Sequence, residues 1–335
     1  MGGGTTTGPG EGMGMRAVWL REFGGPEVLV AGAAPDPVPG PGQVLVAVAH
    51  ANITFVETQF RASGRGPFAV EPPFVPGNGV GGTVAAVGEG VDPALLGRRV
   101  VASTGGSGGY AELALAAADG LFEVPDGLAT DAAVALLADG RTAALLVGEA
   151  ALRPGDRVLV EAAAGGVGTL LVQLATAAGA TVTAAAGGEA KLRLARELGA
   201  ARTVDYTRTG WEAEAGPQDV VLDGVGGAVG RAAFTTLVPG GRMLTYGLSS
   251  GSWAAIPEAE AAARGVALLG LRPTPERIRA ATGHVLAEAA AGRLRPVIGR
   301  RFPLERAAEA HAAIESRATL GKTLLDVAPT ADPRG

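Results

Sequence analysis

The chain has 335 residues, a formal net charge of −5 and a hydrophobic content of 47%. This length and apolar content predict a folded protein of roughly two domains rather than a disordered chain. The acidic balance, without a basic cluster, argues against nucleic-acid binding. Cysteine is absent, which excludes disulfides and thiolate metal ligands.

No apolar run reaches the roughly 20 residues that a membrane-spanning helix needs, and the N-terminus lacks a secretory signal pattern. We therefore expect a cytoplasmic protein without a membrane partner. The three histidines, His50, His284 and His311, lie far apart in sequence, so no metal site is expected. Residues 1–14 are rich in glycine and lack apolar periodicity, which predicts a disordered leader.

From Met15 to about residue 125 the pattern is mostly β. Short apolar runs alternate with glycine and proline turns, which predicts an antiparallel barrel or sandwich. The predicted strands include Arg16–Leu20, Val44–Ala49, Gly82–Val87 and Arg99–Ala102.

From about residue 130 to 270 helices and strands alternate, which predicts a parallel sheet covered on both faces. Its first unit has a strand at Val158–Val160, a glycine turn at Ala163–Gly168 and a helix directly after. The other predicted strands are Thr181–Ala186, Thr203–Tyr206, Asp219–Asp223, Arg242–Tyr246 and Val266–Leu271, and the other helices are Ala190–Leu198 and Val229–Leu237.

The last segment predicts a helix at about Pro275–Ala291, a short strand, a helix at Leu304–Ser316 and a strand at Lys322–Val327. We expect it to rejoin the N-terminal β-rich domain. The predicted fold is thus α/β, with a doubly wound Rossmann sheet (residues 129–271) inserted into a β-barrel-type domain (residues 15–128 and 272–335).

The glycine turn predicts a site for a dinucleotide pyrophosphate. The N-terminus of the following helix offers free N–H groups and a partial positive charge, and glycine lets the phosphate approach the backbone. The next strand ends at Ala186-Gly187, without the carboxylate that holds the ribose 2′-hydroxyl in NAD-specific folds. Lys191 follows, and its cation favours the 2′-phosphate of NADP(H) as cofactor.

Several motifs, in the expected order over about Met15–Val327, resemble the medium-chain dehydrogenase/reductase superfamily, and within it the zinc-free quinone oxidoreductases. The resemblance implies a GroES-like catalytic domain, an inserted nucleotide domain and a homodimer formed through the sheet edge near Val266–Leu271. Asn78 and Gly79 stand where zinc relatives carry His and Glu, so no catalytic zinc is expected. The motifs are Val75–Gly82, Gly108–Glu112, Ala163–Gly168, Ala195–Ala200, Asp223–Gly226, and Glu315–Arg317 with Gly321-Lys322.

The resemblance also implies which residues contact the cofactor. Lys191 and Tyr206 are expected at the 2′-phosphate, and Arg317 at the phosphates. The segment Tyr246–Ser250 is expected to line the nicotinamide pocket. The complete expected set is Thr142, Ala164, Gly165, Gly166, Val167, Gly168, Gly187, Lys191, Tyr206, Gly224, Tyr246, Gly247, Ser249 and Arg317.

The acceptor side departs from the family pattern. The run Thr54–Glu57 aligns with a helix that lines the nicotinamide in quinone reductases, with Thr54 in place of Asn and Gln59 where Tyr is common. Phe55 lies where trans-enoyl reductases carry a catalytic Tyr, and it cannot donate a proton. Thr54, Gln59 and Tyr110 are the polar candidates for holding the acceptor oxygen.

We predict an NADPH-dependent reductase of a quinone or similar conjugated carbonyl that works without metal. The protein would position the acceptor and exclude solvent, and the acceptor oxyanion or enolate would take its proton from water. Two alternatives stay open. One is an enoyl or alkenal reductase that acts on an activated C=C bond, and the other is an NADPH-binding protein without turnover.

Overall fold

The computed structural model describes residues 14–327, so the predicted leader lies, apart from Gly14, outside the described residues. Within residues 14–327 the chain forms three sheets. The first part contains β1 (Met15–Leu20), β2 (Leu29–Ala34), β3 (Gln43–Asn52), α1 (Phe55–Ser63), β4 (Gly79–Val87), β5 (Arg99–Ser103), β6 (Leu113–Ala117) and β7 (Phe122–Glu123).

The long helix α2 (Thr130–Ala150) leads into the alternating part. This part continues with β8 (Arg157–Val160), α3 (Gly166–Ala177), β9 (Thr181–Ala186), α4 (Glu189–Glu197), β10 (Arg202–Asp205), α5 (Trp211–Ala215), β11 (Gln218–Asp223), α6 (Gly227–Thr235), β12 (Leu237–Thr245), α7 (Glu258–Ala263) and β13 (Ala267–Leu269). The last segment has α8 (Pro275–Ala290), β14 (Ile298–Pro303), α9 (Ala307–Glu315) and β15 (Lys322–Asp326).

The alternating part forms the predicted parallel sheet, in the order β10-β9-β8-β11-β12-β13. The chain runs outward from β8 in one direction and from β11 in the other. A ligand crevice forms at such a switch point, outside the carboxyl ends of the central strands. A ligand site is therefore expected outside the carboxyl ends of β8 and β11.

The β-rich sheet has the order β14-β15-β3-β4-β5-β7, and β6 also pairs with β3. The last segment thus rejoins the sheet of the first, as the sequence predicts. The strand pairs within residues 15–123 are antiparallel, as the sequence predicts for that part, whereas β14 and β15 of the last segment are parallel. A parallel pair needs a long crossover, and α9 with its flanking residues provides it.

Two further boundaries differ from the sequence prediction. The helix predicted at Leu304–Ser316 is a 3₁₀ turn at Leu304–Arg306 followed by α9. The strand predicted at Arg242–Tyr246 is longer, because β12 starts at Leu237 and pairs there with Gln218 before the register shifts. In the part of the chain that the structure describes, no helix is long and apolar enough to cross a membrane.

The helix α2 joins the two larger sheets through one apolar core. Its side chains pack against β3, β4 and β5 on one side and against α3 and α8 on the other. The same buried cluster contains Val101 of the β-rich sheet, Leu136 of α2 and Val158 of the parallel sheet. The two sheets are therefore held in a fixed relation by the core around α2, and a cleft lies between them.

Candidate active site

A cleft of about 480 Å³ lies at the carboxyl ends of the parallel strands and is closed on the other side by α1 and β15. It brings together most of the residues that the sequence singles out. Of the acceptor candidates, Thr54 and Gln59 line it. Of the expected cofactor residues, those that line it are Ala164, Gly165, Gly166, Val167, Gly168, Lys191, Tyr206, Gly224, Tyr246, Gly247, Ser249 and Arg317.

The glycine turn has no room for side chains. A Cβ on Gly168 would lie 2.2 Å from the Ala162 oxygen, and one on Gly166 would lie 1.9 Å from Oδ2 of Asp139. Gly165 is the N-cap of α3, and within residues 14–327 no side chain caps that first turn. Its N–H groups are thus available to a phosphate, which a helix N-terminus attracts.

Two cations meet at one end of the cleft. Lys191 Nζ donates to the Arg317 carbonyl at 3.0 Å, and the Arg317 guanidinium donates to the Ser249 carbonyl at 2.8 Å. Burial, and then the charge of Arg317, lower the pKa of Lys191. Among the described residues neither cation has a carboxylate partner, so their combined charge suits a phosphate.

A carboxylate that the sequence analysis missed lies close to this end. Asp205, at the end of β10, accepts from the Gly188 N–H at 3.3 Å and from the Thr207 hydroxyl at 2.7 Å. These donors lower its pKa against the effect of burial. The carboxyl ends of neighbouring parallel strands lie side by side. The strand β9, which ends without an acidic residue, therefore has the Asp205 carboxylate of β10 beside it.

Two tyrosines form the wall between the cations and the centre of the cleft. Tyr206 is half-buried, and burial raises its pKa. The Tyr246 hydroxyl donates to the Glu161 carbonyl at 3.4 Å. A Cβ on Gly224 would lie 2.6 Å from that hydroxyl oxygen, so glycine there makes room for the Tyr246 ring.

A pair of fully buried carboxyl groups lies beneath this wall, Glu161 after β8 and Asp223 at the end of β11. Oδ1 of Asp223 accepts from the N–H groups of Val225 and Gly226 at 2.9 and 2.6 Å. Burial, and then the neighbouring Asp223, raise the pKa of Glu161 well above its usual range. Burial beside a second carboxyl group therefore favours the protonated form of Glu161.

Three residues singled out in the sequence lie outside the cleft. Tyr110 is fully buried and its hydroxyl is 2.9 Å from Nε2 of His311, so it cannot hold an acceptor oxygen in the cleft. Burial lowers the pKa of His311 to about 3. Thr142 donates to the Ala138 carbonyl of its own helix at 2.8 Å, and Gly187 lies just beyond Ala186, which does line the cleft.

Thr54 lines the cleft but its hydroxyl hydrogen is already used. It caps α1, and its N–H and Oγ1 both donate to Oε2 of Glu57 at 2.6 Å. Oε1 of Glu57 accepts from the Asn78 N–H at 2.9 Å, and burial raises the Glu57 pKa. Thr54 thus presents lone pairs rather than a free donor to the cleft.

The sequence analysis also missed an ion pair in the cleft. Nζ of Lys322, at the start of β15, is 3.1 Å from Oδ1 of Asp139 on α2, and the lysine is only 4% exposed. Both side chains line the cleft. Lysine occurs at only two positions in the sequence, 191 and 322, which is a signal that could have drawn attention to both.

The residues at the expected zinc position do not suit a metal ion. Oδ1 of Asn78 accepts from the Ser103 hydroxyl at 2.8 Å, and Gly79 has no side chain. Within residues 14–327 no group of three or more His, Asp or Glu side chains is placed to hold a metal.

A glycine turn at a switch point, facing a β-rich sheet across a cleft, defines a dinucleotide-dependent dehydrogenase or reductase. The family model for the alcohol dehydrogenase GroES-like domain matches residues 40–126, and the model for zinc-binding dehydrogenases matches residues 198–325. The chain is 33% identical over 324 residues to a quinone oxidoreductase of Pseudomonas aeruginosa, covering 92% of this chain and 99% of the relative.

Two further proteins show the same likeness. A 2-haloacrylate reductase of a Burkholderia species is 32% identical over 333 residues, which cover 92% of this chain and 98% of the relative. A mycobacterial protein solved in complex with NADPH is 32% identical with a TM-score of 0.84, covering 93% of this chain and all of the other. The chain therefore belongs to the medium-chain dehydrogenase/reductase superfamily, in its quinone oxidoreductase branch.

Substitution of Gly168 by Ala is expected to disrupt the glycine turn, because the added Cβ must push away the Ala162 carbonyl. We expect a loss of about 1–3 kcal/mol in the free energy of unfolding and weaker NADPH binding. Gly148→Ala is the matched control, since a Cβ on this exposed residue of α2 meets no atom within 4 Å. That control is expected to gain up to about 1 kcal/mol. Denaturant unfolding measures the free energy of unfolding, and cofactor titration measures NADPH affinity. If Gly168→Ala and Gly148→Ala gave the same values, the proposed crowding at Gly168 would be wrong.

Proposed function

We propose that the protein is an NADPH-dependent reductase whose acceptor is a quinone or a similar conjugated carbonyl compound. The observation that carries the proposal is one cleft with two chemically different ends. One end combines the glycine turn with the cations Lys191 and Arg317, and the other is lined by Thr54 and Gln59 at α1. The quinone oxidoreductase and NADPH-bound relatives support the same reading.

Different residues of the cleft have different roles in the proposed reaction. Lys191, Tyr206 and Arg317 hold the 2′-phosphate, and the N–H groups of α3 hold the pyrophosphate. When bound, NADPH supplies a hydride from its nicotinamide ring. The chain positions the acceptor and excludes water, and no protein metal ligand takes part.

A second candidate function is reduction of an activated C=C bond, with the same cofactor. The likeness to a 2-haloacrylate reductase favours it. We also propose that residues 15–128 and 272–335 form the catalytic domain and residues 129–271 the nucleotide domain. A cytoplasmic location suits a chain without cysteine that depends on NADPH.

The proposed activity predicts that NADPH is oxidised when 1,4-benzoquinone or a simple enone is added. Loss of NADPH absorbance gives the rate, and chromatography of the products tells carbonyl reduction from C=C reduction. If NADPH binds but no acceptor is reduced, the protein is an NADPH-binding protein without turnover and the proposed function is wrong.

Substitution of Lys191 by Ala tests the cofactor preference. Loss of a charged hydrogen bond is expected to weaken NADPH binding by about 1.5–3 kcal/mol, or roughly 10- to 100-fold, and NADH binding by much less. Arg193→Ala, on the exposed face of the same helix, is the control and should leave both affinities near their original values. Fluorescence titration measures the four affinities. A similar loss for NADH and NADPH would mean that Lys191 does not bind the 2′-phosphate.

We further propose a homodimer in which the edge strand β13 pairs with its copy. β13 has β12 as its neighbour in the sheet, and Leu268 on it is 38% exposed. Leu268→Asp places like charges together across such an edge and is expected to give monomers in light scattering. Val38→Asp, at a residue 82% exposed in the β-rich part, is the control and should remain dimeric. A wild-type protein of monomer mass would exclude this interface.

A further inference from the structure

A small cavity of about 20 Å³ adjoins the cleft, and Thr54 lines both. It has room for one group the size of a water molecule, which needs roughly 10–15 Å³. Its polar lining comes from three elements and the loop before β4, and it includes Asn52, Asn78, Ser103 and Arg141. None of these residues is used by the proposed cofactor site.

Arg141, on α2, is a half-buried cation without a partner. Among residues 14–327 its guanidinium makes neither a hydrogen bond nor an ion pair, and Asp139 acts on it only through its charge. Burial is the main effect and lowers the pKa of Arg141, although an arginine stays protonated in proteins. A half-buried guanidinium with unused donors favours an anionic ligand.

Asn52, at the end of β3, is a second group without a partner. Its side chain is 1% exposed, and Oδ1 has no hydrogen-bond partner among the described residues. A Cβ on Gly79 would lie 2.5 Å from Nδ2 of Asn52, so the absence of a side chain at residue 79 leaves space for this amide. Because an amide can turn either end toward a ligand, Asn52 can donate to an oxygen in the cavity.

The two hydroxyl groups and the two carboxyl groups around the cavity are already paired within residues 14–327. The Thr54 hydroxyl donates to Glu57, and the Ser103 hydroxyl donates to Asn78. Asp139 is paired with Lys322 at 3.1 Å. Glu57 accepts from Thr54 and Asn78, and burial raises its pKa. Arg141 is therefore the charge at this place that is left for a ligand.

We propose that Arg141 and Asn52 bind the carboxylate of an α,β-unsaturated acid, with one oxygen in the cavity and the C=C bond in the cleft. This rests on the proposed reductase function and names a substrate class for it. The β-carbon accepts the hydride as NADPH is oxidised to NADP⁺, and the electron pair of the C=C bond moves toward the carboxylate. The α-carbon then takes a proton from water, which gives the saturated acid. Because the carboxylate gains negative charge during hydride transfer, a guanidinium beside it stabilises the transition state.

The experiment compares an anionic and a neutral acceptor on the same variants. Steady-state NADPH oxidation is measured with 2-chloroacrylate and with 1,4-benzoquinone for wild type, Arg141→Met and Arg141→Lys. Arg295→Met, at an exposed arginine that lines neither the cavity nor the cleft, is the matched control. Thermal unfolding and NADPH titration verify that each variant is folded and binds the cofactor. Inhibition of benzoquinone reduction by 2-chloropropanoate measures the binding of a carboxylate that is not itself reduced.

We expect Arg141→Met to lower kcat/KM for 2-chloroacrylate at least about 30-fold, because a charged hydrogen bond to the substrate is lost. We expect the same variant to lower kcat/KM for benzoquinone less than about threefold. Arg141→Lys should lie between, and inhibition by 2-chloropropanoate should be lost in Arg141→Met. Equal losses with both acceptors, or no loss with either, would overturn the carboxylate site. A wild-type enzyme that reduces benzoquinone but neither reduces 2-chloroacrylate nor binds 2-chloropropanoate would also overturn it, with the reductase function intact. Failure with both acceptors would instead count against that function.

Discussion

One main-chain contact ties the glycine turn directly to the opposite side of the cleft. The Gly321 N–H donates to the Ala164 carbonyl at 2.7 Å, and Gly321 and Gly165 form an isolated parallel bridge. The contact joins the glycine turn of the parallel sheet to the start of β15 in the β-rich sheet. Gly321 has φ 58°, and a Cβ there would lie 2.1 Å from the Val297 oxygen, so only glycine fits. Lys322 follows directly and is thereby placed in the cleft.

Charge is distributed unequally along the cleft as a result. At the cofactor end the bonding partners of Lys191 and Arg317 among residues 14–327 are carbonyls, which leaves positive charge for a phosphate. Glu161 and Asp223 are buried together, and burial raises the pKa of Glu161. Beside the glycine turn Lys322 and Asp139 are paired, and at the small cavity Arg141 has no partner among residues 14–327. The pattern suits a dinucleotide at one end and an electron-poor acceptor at the other.

Sequence reasoning succeeded where function depends on the local chain. The glycine turn, the strand before it and the helix after it are neighbours in sequence, so their periodicity and glycines predict them directly. The parallel sheet follows from the alternation of helices and strands. Reasoning failed for Tyr110, because a strand motif gives no sign of which face meets His311. The parallel pairing of β14 and β15 depends on a crossover between distant residues, and no local pattern indicates it.

The sequence by itself determined the fold class, the phosphate-binding turn and the absence of a thiolate metal site, because each depends on residue types close together or missing altogether. Only the tertiary structure decided which side chains share the cleft. Asp139 and Lys322 are 183 positions apart, and Lys191 and Arg317 are 126 apart. The burial and pairing of such groups depend on how α2 and β15 pack against the parallel sheet. No local sequence pattern shows which residues this packing brings together. The same holds for Arg141 and Asn52, whose lack of partners becomes visible only when the surrounding donors and acceptors are placed.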